Sequence, residues 1–545
     1  MNSIDKTTIY WTIAIAVGFA FSLYAANTYL TVETQNNSKL VDKELLSIQE
    51  IDSPKLVSDM SVVSLSHNDE YDLVASDIIK NIGGQSYEMF GYNQKSPGPL
   101  LLVDQGNEIT VNFKNNLDFP TTVHWHGLRL DYTSDGVPGI TQDPILPGDT
   151  FEYKLKFPDS GIFLYHPHVR TEMQMELGLY GNILVESENK IPTTIQVPLI
   201  LDDVLIAENG LEEFDSKIVT HTLMGRFGNT MMINGDANYS LEVNQWDIAR
   251  FYLTNTANTR IFDFGIEQHK LKLVADDASN YEKEEFVDSV MLASSERRTV
   301  DVLFDKPGEY TITHTTPEKI YSLGKILVSP SNNKYDYDFY KIVENKDIVA
   351  EIDEFKKYFS DSPDLELEFD VKTSLVHQMT SDDSSMVMKE HTNDMQSMKP
   401  DSSMVMQDHD NEIQSIEWED GMPKMNAMSN EENTHWILRD VNSGKEGFDI
   451  DYQANVGDVK KIRLYNDPES AHPMQHPIHL HGQRFLVLSE NGILNENLAW
   501  KDSVLVPTGK TVDILVEFSN PGKWAMHCHI LEHAEAGMIT EIIVN

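Results

Sequence analysis

Four His-x-His pairs carry the chemistry open to this sequence: His124-Trp125-His126, His166-Pro167-His168, His479-Leu480-His481 and His527-Cys528-His529. On a β-strand, residues two apart project from the same face, about 6.5–7 Å from each other. Each pair can therefore offer two imidazoles to one metal ion, or one to each of two neighbouring ions. Eight imidazoles exceed the needs of a single ion and suit a cluster of three.

Cys528 is the only cysteine in the chain. In an extended segment it points away from His527 and His529. A thiolate with two imidazoles and a weak thioether is the donor set of a blue-copper site, and His476, His533 and Met538 are the available partners. Electrons collected there would reach the histidine cluster through sulfur, a few backbone atoms and imidazole. Zinc is the nearest rival, but structural zinc takes four ligands and usually more thiolates. Twelve candidate ligands with a single thiolate favour copper.

These groups need strands to aim them. Glu108–Phe113, Phe151–Phe157 and Val512–Phe518 alternate apolar and polar residues, the period of a half-buried strand. Turn signals such as Pro147-Gly148-Asp149, Lys306-Pro307-Gly308 and Asn520-Pro521-Gly522 punctuate the chain. At 545 residues and 40% hydrophobic, it is too long for one ordinary domain and suits three. Short strands and few long helical patterns predict an all-β protein of three sandwiches, over residues 58–190, 191–345 and 346–545. The charge balance, 42 Lys and Arg against 87 Asp and Glu for a net −45, repels nucleic acid and attracts cations.

Residues 1–57 read as a leader and linker. Ile9–Ala26 is an uncharged, mostly apolar run of 18 residues, long enough to span a membrane. Tyr24-Ala25-Ala26 is a poor cleavage site, so the expectation is an N-terminal membrane-anchor helix with the body outside the cytoplasm, at the cell surface or in the periplasm. Cleavage would instead give a secreted protein. A lone cysteine makes no internal disulfide and says nothing of the compartment.

Residues 376–428 form an insertion unlike the rest. They hold ten of the 22 methionines, His377, His391 and His409, and two copies of Asp-Ser-Ser-Met-Val-Met, at Asp383–Met388 and Asp401–Met406. The composition predicts a mobile surface excursion, and thioether sulfur suits Cu(I).

The four histidine clusters resemble those of the multicopper oxidases, which include laccases, bacterial copper-efflux oxidases and ferroxidases. The likeness runs from about Ser58 to the end and fits members built from three cupredoxin-like Greek-key β-sandwiches. It implies four copper ions: a type 1 copper at His476, Cys528, His533 and Met538, a type 2 copper at His124 and His479, and a type 3 pair at His126, His166, His168, His481, His527 and His529. It also implies the reaction, in which single electrons taken from a reductant at the type 1 copper reduce dioxygen to water at the other three. The middle segment contributes no ligand in such proteins.

Reducing dioxygen to water consumes protons. Asp135, in Ser134-Asp135-Gly136, matches by spacing the family aspartate that follows the first His-x-His pair, and is the candidate acid–base residue. The second family carboxylate is missing, because Ala534 follows His533. Glu532 and Glu535 flank it, but on a helix Glu535 is rotated by about 100°, so neither is expected to substitute. Leu164 replaces the aromatic common before Tyr-His-x-His, and Gln483 replaces a frequent histidine; neither change removes a ligand.

Similar Met-rich insertions in copper-efflux oxidases lie over the type 1 site, so the resemblance implies a cuprous oxidase of copper tolerance. The alternatives are laccase-like oxidation of phenols or aromatic amines, oxidation of iron or manganese, and a copper-binding protein without turnover. The full set of eight imidazoles argues against the last.

Overall fold

The computed structural model describes residues 54–187, 192–375 and 415–545, together with the strand Ser47–Gln49. The apolar run Ile9–Ala26 and residues 376–414 of the Met-rich insertion lie outside the described residues. No described helix is long and apolar enough to cross a membrane. The chain divides into two units. The smaller, Met1–Gln49 with Ser331–Lys334, includes the strand Ser47–Gln49. The larger, Glu50–Pro330 with Tyr335–Asn545, holds all that follows.

In the first sandwich, Glu108–Asn115 buries Ile109, Val111 and Phe113 and turns the intervening residues outward. It pairs antiparallel with Thr150–Lys156, Val111 opposite Tyr153, in a four-stranded sheet with Glu70–Ile82 and Gln85–Tyr92. The facing sheet has five strands: Val62–Leu65, Leu100–Asp104, Gly181–Glu186, Gly161–His166 and His124–His126. Val111, Phe113 and Tyr153 from one sheet meet Trp125, Phe163 and Ile183 from the other in a single core.

The third sandwich repeats this plan. Its five-stranded sheet, Tyr452–Ala454, Ile539–Val544, Gly522–Cys528, His476–Leu480 and Ser503–Val506, shares a core with a larger sheet through Leu367, Leu464, Ile514 and Trp524. The middle sandwich differs in one respect. Its strand Ile195–Val204 is buried at every position, where alternation would bury one face. Val197, Leu199 and Leu201 fill its own core, while Ile200 joins Leu164, Leu184 and Tyr252 in a second core against the first sandwich. Leu164 belongs to this seam, where full burial of a leucine contributes about 1.5–3 kcal/mol.

Residues 415–428 depart from the predicted excursion. The short helix Pro423–Met428 presents Met425 to Leu223, Met224 and Phe227. Asn426 Nδ2 donates to Gly225 O (2.8 Å), and its Oδ1 accepts from the Met224 N–H (3.1 Å). Arg260 pairs with Glu419 at 3.2 Å. A few buried apolar contacts and satisfied amides outweigh what the polar composition suggests.

Candidate metal centres

Strand His476–Leu480 runs antiparallel to Gly522–Cys528, with Ile478 opposite Cys528 and His479 opposite His527. Strand alternation therefore sends Cys528 and His527 to opposite faces. After Cys528 the chain turns into the short helix Leu531–Glu535, where the His533 N–H donates to Ile530 O (3.0 Å). The Cys528 N–H donates to Met538 O (3.0 Å) and the Met538 N–H to His533 O (2.9 Å). These bonds close the loop and return Met538 to the buried apolar cluster that contains Cys528.

Cys528 Sγ lies 3.6 Å from His476 Nδ1 and 3.9 Å from His533 Nδ1, and the two nitrogens are 3.4 Å apart. The centre of such a triangle is about 2.1 Å from each corner, the length of a first-row metal–imidazole bond. Burial pushes the Cys528 thiol up and the His476 imidazole down to about 3. Thiol and neutral imidazoles are thus the resting forms, and binding a cation releases the thiol proton.

Trp436, unremarkable in the sequence, stacks on His533 with ring centroids 4.0 Å apart and meets His476 edge-on at 4.8 Å. Its indole N–H donates to Thr222 O (2.6 Å) in the middle sandwich.

The remaining eight histidines meet where the first and third sandwiches face each other. His126, His166 and His529 bring one donor atom each within 4.8 Å of one another; so do His168, His481 and His527, and likewise His124, His126 and His479. His126 stacks on His479 at 3.6 Å and His124 on His481 at 3.9 Å. The His166–His168, His479–His481 and His527–His529 pairs thus each divide their members between groups, whereas His124 and His126 share one and His126 also joins another, as strand spacing allows.

The hydrogen bonds give each ring an outer and an inner nitrogen. Nδ1 of His124, His166, His479 and His527 lies 2.8 Å from the carbonyl oxygens of Asp135, Pro167, Asp502 and Cys528 respectively. A carbonyl only accepts, so these Nδ1 atoms carry the proton and leave Nε2 basic. Nε2 of His124, His166, His168, His479 and His529 is buried without a hydrogen-bond partner. His126 is reversed: Nε2 lies 3.1 Å from Asp502 Oδ1, and Nδ1 is the buried, unpartnered atom. Buried polar atoms rarely go unpartnered. A converging set of basic nitrogens is a fit for soft-to-borderline metal ions such as copper.

Asp135 Oδ2 lies 2.9 Å from His481 Nδ1, and Oδ1 lies 3.3 Å from His124 Nδ1. Gly136 makes that approach possible. Its φ is +83°, and a Cβ there would sit 1.9 Å from Val123 O, in the segment that leads into His124.

The eleven histidine and cysteine candidates, and Asp135, lie in one of these two groups, and Met538 is tied to the first by its backbone bonds to Cys528 and His533. The sequence reading missed Asp502, Arg297 and Ser294. Ser294 Oγ is 3.2 Å from His529 Nδ1. Nothing local marks these three, because each gains its role from another sandwich.

A cavity of about 440 Å³, lined by His168, His527, Val137, Ile140, Ala534 and Glu535 among others, opens onto the cluster. Glu535 corrects an expectation. Its helix is docked so that Glu535, not Glu532, reaches this cavity, with Oε1 accepting the Thr171 N–H (2.9 Å). Burial and the neighbouring Glu172 raise its carboxyl to about 8. Glu532 faces Asn258 instead, at 3.1 Å.

Profiles described as multicopper oxidase match residues 74–190, 183–326 and 417–545. A multicopper oxidase of Staphylococcus aureus is 24% identical over 477 residues, covering 85% of each chain. A copper resistance protein A homolog of Pseudomonas syringae pv. tomato is 24% identical over 554 residues, 87% of this chain and 92% of its own. The solved multicopper oxidase of Campylobacter jejuni, described as a metallo-oxidase, superposes with a TM-score of 0.66 at 20% identity, over 92% of this chain and 98% of that one.

Proposed function

The chain belongs to the multicopper oxidases, and we propose that it is a cuprous oxidase of copper tolerance, working outside the cytoplasm and tethered by residues 9–26. In this reading His476, Cys528, His533 and Met538 hold the type 1 copper, and His124 and His479 the type 2 copper. His126, His166, His168, His481, His527 and His529 hold the type 3 pair. Bound copper supplies one-electron transfer and the reduction of dioxygen to water. The observation that carries the assignment is the convergence of unpartnered imidazole nitrogens beside a Cys528–His476–His533 triangle of bonding size.

The chain's own residues divide the remaining work. The peptide between Cys528 and its neighbours His527 and His529 links the two groups covalently. Asp135 orients His481 and His124 and is placed to pass protons. The cavity at His168 and His527 offers dioxygen a mostly apolar approach, and Glu535 holds a proton at its wall near neutral pH.

Support for Cu(I) as the reductant comes from where the Met-rich insertion is rooted. At its C-terminal root, the Glu417 N–H donates to Gln475 Oε1 (2.7 Å) and Gln475 Nε2 donates back to Glu417 O (3.0 Å). Gln475 precedes His476. At the other root, Leu375 packs against the Leu223–Met224 cluster, next to Thr222, which holds Trp436 over His533. The insertion therefore springs from the surface beside the electron-accepting site, and its thioethers are soft donors. Oxygen uptake with Cu(I), Fe(II), Mn(II) and a phenol as competing reductants tests the reading. Cu(I) is expected to give the highest kcat/KM; preference for the phenol would make the protein laccase-like.

A further inference from the structure

We propose that Arg297, from the middle sandwich that supplies no metal donor, is a positioning residue that sets the orientation and proton placement of the His126 and His479 rings. The proposal rests on the four-copper reading above.

Arg297 is fully buried and grips Asp502 with both arms of its guanidinium: Nη1 donates to Oδ1 (2.6 Å) and Nη2 to Oδ2 (2.5 Å). A bidentate guanidinium–carboxylate pair fixes the plane of the carboxylate as well as its charge. Asp277 steadies the clamp from behind. Its Oδ1 accepts the Arg297 N–H (2.8 Å), and its Oδ2 accepts the Ser503 N–H (3.2 Å).

The clamped residue touches two cluster histidines. Asp502 Oδ1 is 3.1 Å from His126 Nε2, and its carbonyl oxygen is 2.8 Å from His479 Nδ1. A carboxylate engaged by arginine only accepts, so His126 must carry its proton on Nε2. That leaves Nδ1 as the nitrogen turned towards the cluster, the reverse of its neighbours. Because His126 stacks on His479 at 3.6 Å, fixing one ring fixes the other.

The chain bearing His126 is shaped around this clamp. Gly127 follows it with φ +85°, and a Cβ there would lie 2.6 Å from both Arg297 Nη2 and Asp502 Oδ2. Only glycine lets the backbone pass so near the ion pair. The middle sandwich thus reaches His126 and His479 through this arginine, as it reaches His529 through Ser294, and hydrogen-bonded partners of metal-binding histidines typically tune metal affinity.

The test uses the copper-loaded protein and its Arg297→Gln and Arg297→Lys variants. Three readouts are compared: copper release to a chelator, the thiolate–copper absorption, and the type 2 electron paramagnetic resonance signal. In Arg297→Gln, cluster copper should be held about 10–100-fold less tightly and the type 2 signal altered, with the thiolate–copper absorption kept. Arg297→Lys, with charge but no fork, should fall between. Wild-type retention and spectra in Arg297→Gln would overturn the proposal. So would parallel loss of the thiolate–copper absorption in both variants, the mark of a merely structural arginine. A wild-type protein without any type 2 signal would instead overturn the four-copper reading.

Discussion

Cys528 and His527 are consecutive residues that fall in different groups of candidate metal donors: Cys528 Sγ is 3.6 Å from His476 Nδ1, whereas His527 Nε2 is 2.9 Å from His481 Nε2. One antiparallel strand pair, with Ile478 opposite Cys528 and His479 opposite His527, carries donors for both groups on its two faces. In the proposed reading, the link between collecting electrons and spending them on dioxygen is a single peptide unit.

Replacing the thiol isolates that link. Cys528→Ser removes the only soft anionic donor of the type 1 triangle, so the thiolate–copper absorption and turnover should vanish together. The eight cluster histidines are untouched, and the type 2 resonance should remain. Turnover retained without the absorption would refute electron passage through Cys528.

Asp135 and Glu535 are expected to act on protons rather than on the reductant. Asp135→Asn keeps the size of the side chain that contacts His481 and His124 but cannot take up a proton. Steady-state turnover should fall about 10²-fold, the lower end for a lost acid–base group. Glu535→Gln should lower turnover in the same direction. Anaerobic bleaching of the type 1 colour by reductant should proceed at the wild-type rate in both. Slowed bleaching would place these residues on the electron path instead.

The buried imidazoles give the metal-free protein a definite pH response. Burial holds His476 and His527 near 3 and keeps His126, His166, His168, His481 and His529 well below the ordinary 6.5. In the unfolded chain these rings protonate near 6.5, so between 6.5 and about 3 the unfolded state binds more protons. Stability is therefore greatest above that window and falls as pH drops through it. Glu532 and Glu535, raised by burial to about 7 and about 8, act oppositely. Their contribution is complete below 4.5 and is lost as pH rises towards 8. Asp202, Asp277 and Glu176 are raised by burial in the same sense, but the lowered imidazoles, which also include His221, His314, His472, His479 and His533, outnumber the raised carboxyls. The melting temperature of the metal-free protein should drop between about pH 7 and about pH 5, and copper loading should flatten that slope. A melting temperature that rises on acidification would contradict the buried neutral cluster.

Deletion of residues 376–414 tests the role of the Met-rich insertion while sparing 415–428, which anchor Glu417 to Gln475 and Asn426 to Gly225. The variant should keep its copper and its oxidation of a phenol. Its kcat/KM for Cu(I) should fall, mainly through KM. Unchanged Cu(I) kinetics would remove the insertion from substrate handling.

The two metal groups were legible in the sequence because strand geometry turns spacing into direction: His527, Cys528 and His529 alternate faces whatever surrounds them. Contacts between sandwiches carry no such signature. Asp502 and His126 are 376 residues apart in the chain, and nothing near Arg297 announces an ion pair with a different sandwich. The strand Ile195–Val204 is buried on both faces, and only the seam with the first sandwich explains it. Glu535 was discounted from helical rotation alone. Docking of the short helix against Thr171, a tertiary fact, decides which side chain meets the cavity.

The central claim is that electrons gathered singly at Cys528 reduce dioxygen fully to water at the histidine cluster. Simultaneous measurement of Cu(I) oxidised, dioxygen consumed and hydrogen peroxide released tests it most directly. The account predicts four cuprous ions oxidised per dioxygen, with no peroxide at any point in the time course. Two cuprous ions per dioxygen with matching peroxide would contradict it.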